Sequence, residues 1–416
     1  MTGPLRTAPA DPPAALAQRI VFPFYVYAVL SNTLLQRGVF VLYLVHQGFS
    51  AAQIALLQTV LYLSSALAEI PTGILADRFG RRSSIVIGQF LSGLCVLGQI
   101  LLPGGFPVFL GLFLLQGVAF ACVSGAETAL LYDLLRQRGL KTEYLRVKSR
   151  YAAFGATTMG LAIALGGFLQ RFSWELVYSV SGCALILAAV LLLTRVPELR
   201  GAETDEAEDE GSHDPVPSRR GALMSILTPR LASLVIVSGL MHATTTPYFI
   251  FTQGSLSDQG APTALVALVI SVAYLVSGTT PLLAVRAAEW IPLRALVPLT
   301  VLALAAGLAL TGVGNPWLTA GLFLLVIGVP DITAVVIDNV FNEAVPSRFR
   351  ASLLSVITFI ESALIGLGYL AMGWLIDRFG SSGGVAWYAA VPIAAFVLWL
   401  PALRKGRWTR EDAVAR

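Results

Sequence analysis

Long apolar runs, separated by short polar breaks, make up most of this chain of 416 residues. A helix needs about 20 apolar residues to cross the hydrocarbon core of a bilayer, and twelve runs are about that long. They cover residues 20–46, 52–76, 84–102, 107–132, 149–170, 174–194, 231–253, 263–285, 294–313, 316–341, 352–376 and 385–403. The pattern therefore predicts an all-α membrane protein with twelve transmembrane helices, which we call spans 1 to 12.

Residues that favour turns stand in four of the breaks between these runs. The four breaks are Pro103-Gly104-Gly105, Gly260-Ala261-Pro262, Gly314-Asn315-Pro316 and Ser382-Gly383-Gly384. Just before the last one, Asp377-Arg378-Phe379-Gly380 is interpreted as the turn between spans 11 and 12. The run at 20–46 is too long for the apolar core of a secretory signal, so we expect span 1 to remain in the protein.

One connection is much longer than the others and divides the chain near its middle. It holds an acidic run, Glu203 to Asp214, followed by Arg219-Arg220. We predict a disordered cytoplasmic tail at 1–18, a six-helix bundle at 19–194, a cytoplasmic linker at 195–229, a second six-helix bundle at 230–403 and a basic cytoplasmic tail at 404–416. The linker is either a partner-binding segment or a solvated tether, and we favour the tether.

Composition and charge agree with a membrane protein and set its orientation. The chain has 56% hydrophobic and 12% charged residues, whereas soluble domains have about 25% charged residues. All but three of the 28 lysines and arginines fall in the tails and in alternate loops, the exceptions being Arg37, Arg171 and Arg378. Because basic loops stay in the cytoplasm, both termini should be cytoplasmic, in a bacterial inner membrane. The basic residues therefore indicate topology and not a nucleic-acid site.

The loop between spans 2 and 3 is short and charged, and reads G-I-L-A-D-R-F-G-R-R over residues 73–82. The missing side chain of Gly73 lets a neighbouring helix approach closely. Asp77 is placed to cap a helix end, and Gly80 permits the positive φ of a tight reversal. At this spacing, Gly73, Asp77, Arg78, Gly80, Arg81 and Arg82 resemble the loop 2–3 signature of the major facilitator superfamily of transporters.

The resemblance implies two pseudo-symmetric six-helix bundles that alternate access to a central cavity lined by spans 1, 4, 7 and 10. It also implies a gate, in which Asp77, the loop arginines and Asp133 lock the cytoplasmic face when the cavity opens outward. Two departures weaken an antiporter assignment. Phe113 stands where the family's span 4 motif has an arginine, and span 5 has glycines without the expected proline.

Ionisable residues are rare inside the apolar runs, where a charge is costly and usually functional. They are Arg37, Glu69, Glu127, His242, Asp331 and Glu361. Four carboxylates against one arginine leave an excess of acid, which protons, cations or a cationic substrate must balance. A carboxylate removed from water favours its protonated form and can exchange a proton near neutral pH. We therefore predict Glu127, Asp331 and Glu361 as coupling candidates and rank the first two highest, because spans 4 and 10 are equivalent cavity helices in the two pseudo-symmetric bundles that the resemblance implies.

A polar stripe on span 1 and a polar break in span 7 are the candidates for binding a substrate. Asn32 and Gln36 share one helical face with Arg37 at its edge, and His242 precedes three threonines and a proline. Two interpretations of Arg37 stay open, namely a substrate ligand and a structural arginine neutralised by a neighbouring carboxylate. His242 is more often a packing residue than a ligand.

These observations predict a secondary active transporter that exports amphipathic or cationic small molecules, driven by the proton gradient. Proton-coupled uptake of a nutrient is the alternative within the same fold, and a membrane receptor or scaffold is the alternative of another class. No nucleophile, metal-ligand or phosphate-loop pattern occurs in the sequence, so we expect no enzyme activity, no metal site and no cofactor. The expected partners are a small-molecule substrate and the bilayer, with no nucleic acid, and the expected state is a monomer.

Overall fold

The computed structural model of the protein describes residues 13–198, 229–344 and 347–404, which are helical apart from short connections. In chain order the helices are α1 (Pro13–Ser31), α2 (Phe40–His46), α3 (Ala51–Phe79), α4 (Arg81–Leu101), α5 (Gly105–Val123), α6 (Ala126–Gln137), α7 (Tyr144–Leu169), α8 (Trp174–Arg195), α9 (Pro229–Asp258), α10 (Thr263–Trp290), α11 (Leu293–Thr311), α12 (Pro316–Ala344), α13 (Ser347–Trp387) and α14 (Ala390–Arg404). Each of the twelve predicted runs coincides with helix, so the all-α membrane fold is confirmed.

Nine helical stretches of the described residues are long and apolar enough to cross a membrane. Two further apolar stretches, Val21–Ser31 and Ala295–Thr311, are shorter and belong to spans 1 and 9. Residues 13–18 of the predicted disordered tail are helical and belong to α1, so the tail was predicted too long. Most of the rest of that tail, of the tail at 404–416 and of the linker at 195–229 lies outside the described residues, so those assignments stay predictions.

Spans 1 and 4 are not the continuous helices that the apolar pattern predicted. Span 1 is α1, a short 3-10 helix at Leu35–Gly38, and α2. Span 4 is α5 and α6, separated at Ser124 and Gly125, where Gly125 has φ +72°. The overall apolar pattern does not locate such breaks, because a few polar residues also occur within continuous transmembrane helices.

The turn between spans 11 and 12 lies in the predicted segment Asp377-Arg378-Phe379-Gly380 and not at the glycine pair that follows it. It is made by Gly380, with φ +76°, which bends α13 sharply. Gly383 and Gly384 are helical instead, and a Cβ atom on Gly384 would press against the backbone of Ile376. The predicted break at Ser382-Gly383-Gly384 is therefore wrong, because these small residues serve helix packing rather than chain reversal.

The two bundles, α1–α8 and α9–α14, contact each other at the end of the molecule remote from the loop between α3 and α4. Helix α3 packs on α13 there, with the Thr59 hydroxyl donating to the Gly366 carbonyl at 2.9 Å. Helix α7 packs on α10, with the Ser271 hydroxyl donating to the Gly160 carbonyl at 2.6 Å. These buried hydrogen bonds hold one end of the molecule closed, and we call it the sealed end.

A carboxylate from one bundle also caps a helix of the other at the sealed end. The Asp377 carboxylate accepts hydrogen bonds from the backbone N–H groups of Ala51 and Ala52, at 2.9 and 3.0 Å. Ser50 and Gln53 complete the cap with reciprocal hydrogen bonds. The first turn of α3 is thus satisfied partly from the opposite bundle.

The C-terminal half of α3, away from the sealed end, has exposed apolar side chains. Leu67, Ile70 and Ile74 are 64%, 68% and 64% exposed. In this conformation the second bundle does not cover these side chains, and in the predicted orientation this open end faces the cytoplasm.

Candidate functional site

A cavity of about 310 Å³ lies between the two bundles. Its walls come from both halves of the chain, and seven of its 21 lining residues are aromatic. The lining residues are Leu34, Gln36, Arg37, Phe40, Gln58, Leu61, Tyr62, Gln99, Phe113, Gln116, Phe120, His242, Thr245, Thr246, Phe249, Ile250, Tyr274, Ser277, Ile327, Asp331 and Tyr369. A cavity that joins aromatic and polar side chains at a bundle interface is a typical small-molecule site.

The break in span 1 presents Arg37 to this cavity and is held by a buried glutamine of the other bundle. The side chain of Gln253, on α9, donates to the Arg37 carbonyl and accepts from the Val41 N–H, both at 3.1 Å. The Leu35 N–H donates to the Ser181 hydroxyl at 3.0 Å. These bonds satisfy backbone groups that an unbroken helix would have paired internally, so the turn is a fixed structure.

Two aromatic hydroxyls and one charge meet where the bundles face each other. The rings of Tyr62 and Tyr369 lie 5.8 Å apart, and the Arg37 charge interacts with both hydroxyls. The Nε atom of Arg37 is buried and has no hydrogen-bond partner among the described residues. The same holds for the Oε1 atom of Gln36. The first half of the chain therefore contributes a positive charge and unsatisfied amide groups to the cavity.

The second half contributes a network of acids around one histidine. Asp331 accepts a hydrogen bond from the Ser277 hydroxyl and interacts electrostatically with His242. Glu361 accepts from the Ser238 hydroxyl at 2.9 Å, and its carboxylate lies 3.6 Å from Nδ1 of His242. We call Asp331, His242 and Glu361 the acid–histidine network. Its members come from α12, α9 and α13, so a change in the protonation of one member would alter the electrostatic interactions between three helices.

The structure does not bring every predicted residue to the cavity. Asn32 ends α1, donates to the Ala28 carbonyl at 2.8 Å and is not a lining residue, so the predicted shared face with Gln36 does not form. Glu127 lies in the first turn of α6, near the buried hydroxyl of Tyr27, and is not a lining residue either. The breaks in spans 1 and 4 explain both outcomes, because each rotates the chain away from helical register.

The predicted loop at 73–82 is helical except at Gly80, because α3 runs to Phe79 and α4 begins at Arg81, and this charged segment is anchored inside its own bundle. Arg81 forms an ion pair with Asp133 of α6. Arg82 forms an ion pair with Glu198 at 3.2 Å, and the Ser83 hydroxyl donates to the same carboxylate at 2.6 Å. Sequence reasoning expected Asp133 as a partner but missed Glu198, whose signal was an acid directly after span 6 on the same side of the membrane.

The structure confirms the expected role of Gly80 in this segment, but Gly73 and Asp77 do not make the contacts that were predicted for them. Gly80 has φ +102°, as expected, and a Cβ atom there would also overlap Glu198. Gly73 has no atom of another helix within 4 Å of where its Cβ would stand, so the expected close approach is absent in this conformation. Asp77 is exposed and makes no hydrogen bond or ion pair with the described part of the chain. Arg78 lies 5.6 Å from the ring of Phe79.

Sequence comparisons place the chain beside known transporter sequences. The family model described as Major Facilitator Superfamily matches residues 14–328. An uncharacterized MFS-type transporter of Bacillus subtilis (strain 168), YxaM, is 22% identical over 408 residues, which is 90% of this chain and 92% of that one. The 4-hydroxybenzoate transporter PcaK of Pseudomonas aeruginosa is 28% identical over 156 residues. That match spans only 36% of this chain and 33% of the relative.

Solved structures share the fold. A bacterial homolog of the human lysosomal transporter Spinster, in an inward-facing and unoccupied conformation, superposes with a TM-score of 0.73. The superposition covers 96% of this chain and 100% of that one at 16% identity. At this identity the likeness concerns the fold alone.

Proposed function

The chain belongs to the major facilitator superfamily of membrane transporters, and we propose that it is a proton-coupled carrier that moves a small molecule by alternating access. The acid–histidine network in the cavity carries this proposal. Carboxylates at membrane depth beside a histidine are the groups from which proton relays are built. Because the network joins three helices, its protonation can bias the packing of the second bundle.

Export of an amphipathic compound is the direction that we propose first, across a bacterial inner membrane and with both termini in the cytoplasm. The amphipathic lining of the cavity, with aromatic and amide side chains on facing walls, supports such a cargo. Uptake of a nutrient is the second candidate, and the observation that favours it is size. About 310 Å³ lies at the small end of ligand cavities, which suits a metabolite better than a bulky drug.

A transport screen in inside-out vesicles tests the function and its direction together. Vesicles that contain the protein should concentrate at least one labelled compound when the lumen is acid, and should lose it when a protonophore is added. Accumulation driven by an acid medium instead would indicate uptake by symport. Vesicles without the protein are the control, and identical compound profiles in the two preparations would favour a receptor or scaffold.

Asp77 is expected to act only when the cavity has closed toward the cytoplasm. In the present conformation its carboxylate is exposed, and the Arg81–Asp133 ion pair joins two helices of one bundle. We propose that Asp77 meets the helix ends of the second bundle after closure, where a carboxylate stabilises helix N-termini. The change Asp77→Asn should slow turnover about tenfold and leave substrate affinity nearly unchanged, since the residue is remote from the cavity. A wild-type turnover rate in stopped-flow exchange would reject the gating role.

A further inference from the structure

Arg37 differs from the other ionisable residues at the cavity in having no counter-ion among the described residues. Its guanidinium makes no hydrogen bond or ion pair with the residues that the structure describes, and its Nε atom is buried. The two acids do have partners. Asp331 accepts a hydrogen bond from Ser277, and Glu361 accepts one from Ser238. His242 interacts with both carboxylates. A positive charge is thus available in the cavity, whereas the negative charges already have donors.

The cost of this isolated charge depends on the state of the transporter. While the cavity is open, water can solvate the guanidinium. When the bundles close over the cavity and exclude water, an unpaired charge becomes expensive unless an anion accompanies it. Gln253 and Ser181 hold the backbone on both sides of Arg37, so its side chain enters the cavity from a fixed point.

We propose that the cargo is a small aromatic carboxylate whose anionic group binds the guanidinium of Arg37. The inference rests on the proposed function, because it takes this cavity to be the transport site. A guanidinium presents a planar fork that matches a carboxylate with two parallel hydrogen bonds. The unsatisfied amide oxygen of Gln36 lies beside it and can accept from a polar substituent.

The remaining walls define the body of the cargo. Tyr62 and Tyr369 face each other across the bundles, and Phe40 and Phe113 lie 5.8 Å apart on the first-bundle wall. Each pair is in ring contact, and all four side chains also line the cavity, so they offer aromatic surface that favours a ring over a flexible chain. A volume of about 310 Å³ lies at the small end of ligand cavities and suits a single substituted ring. The expected preference for a cationic cargo is replaced by a preference for an anion.

Three near-isosteric probes separate charge from shape. Benzoate, benzamide and benzamidine have the same ring and a planar three-atom head, with negative, neutral and positive charge. Binding to the purified full-length protein is measured by isothermal titration. Benzoate should bind about tenfold or more tightly than either analogue, since a charge-assisted pair contributes about that factor. Phenyl phosphate should bind more weakly than benzoate, because its second negative charge has no partner.

Substitutions at Arg37 test the assignment directly. Arg37→Gln should abolish the preference for benzoate over benzamide, and Arg37→Lys should retain part of it, since the charge remains without the fork. Arg171→Gln is the matched control, because it removes one exposed positive charge outside the cavity and should leave the preference unchanged. Retained binding of benzamide by Arg37→Gln shows that its loss of preference does not result from misfolding.

Two results overturn the proposal about the cargo, and neither touches the transport function. One is equal or tighter binding of benzamide, benzamidine or phenyl phosphate, or no binding of benzoate. The other is a benzoate preference that survives in Arg37→Gln. Failure of the transport function has a different signature, in which benzoate binds with the expected preference and yet proteoliposomes neither exchange nor accumulate it.

Discussion

Neutralising Asp331 should abolish uphill transport while sparing exchange. We expect Asp331→Asn vesicles to equilibrate the compound found in the vesicle screen without concentrating it, whatever proton gradient is imposed. Asp331 lines the cavity and takes part in the acid–histidine network, so a proton bound there can respond both to cargo and to the opposite bundle. Exchange requires reorientation of the loaded carrier but no net proton movement, and asparagine still accepts a hydrogen bond from Ser277.

The measurement compares gradient-driven accumulation with counterflow in the same vesicles. Glu361→Gln should show the same loss in milder form, since Glu361 contacts the network through His242 at 3.6 Å and is not a lining residue. Glu127→Gln is the matched control, because Glu127 is also a half-buried carboxylate but lies near Tyr27, away from the cavity. Wild-type accumulation in both Asp331→Asn and Glu361→Gln would rule out proton coupling through the network and favour a facilitator.

The sequence predicted the fold well because membrane burial leaves a strong signal. Long apolar runs and one-sided basic loops determine which segments are helical and how they alternate. Irregular backbone within an apolar run leaves no such signal. The 3-10 turn at Leu35–Gly38 and the kink at Gly125 stand among polar residues that a continuous helix could also carry, and a distant residue, Gln253, completes the first of them. Only the folded chain brings that glutamine to the break.

The candidate site was predicted only in part, because the sequence shows which charged residues lie at membrane depth but not where the helices kink. Charges at membrane depth pointed to Arg37, His242, Asp331 and Glu361, and the structure brings all four to the cavity or to its border. Glu127 was ranked as high as Asp331 because spans 4 and 10 are symmetric in sequence. The kink in span 4 breaks that symmetry, so equivalent positions in the two halves do not face the same space.

The glycines of span 5 show how much of the site depends on packing that a sequence does not reveal. They lack the proline of the family's antiporter motif, yet their positions decide how closely α7 approaches its neighbours. Gly166 lies against the carbonyl of Leu35, and Gly167 lies against Ala267 of α10. A Cβ atom at either position would overlap these neighbours. Span 5 is therefore pressed at once against the turn that holds Arg37 and against the second bundle.

Replacing Gly166 with valine should consequently damage stability and binding together. The new side chain would collide with the backbone of Leu35, which cannot move aside as a flexible side chain could, and overpacking of this kind costs about 1–3 kcal/mol or more. Because Leu35 belongs to the same turn as Arg37, the guanidinium should also be displaced from its position in the cavity. We expect a lower melting temperature of the purified protein and at least tenfold weaker benzoate binding, since a misplaced fork loses its charge-assisted hydrogen bonds.

Gly111→Val is the matched control for this prediction. Gly111 lies in the middle of α5, is exposed, and has no atom within 4 Å of where its Cβ would stand. The same substitution there should leave both the melting temperature and benzoate binding near their wild-type values. If Gly166→Val melts and binds like Gly111→Val, the close approach of α7 to the turn of span 1 is not present in the membrane. The fixed presentation of Arg37, on which the identity of the cargo depends, would then lose its structural support.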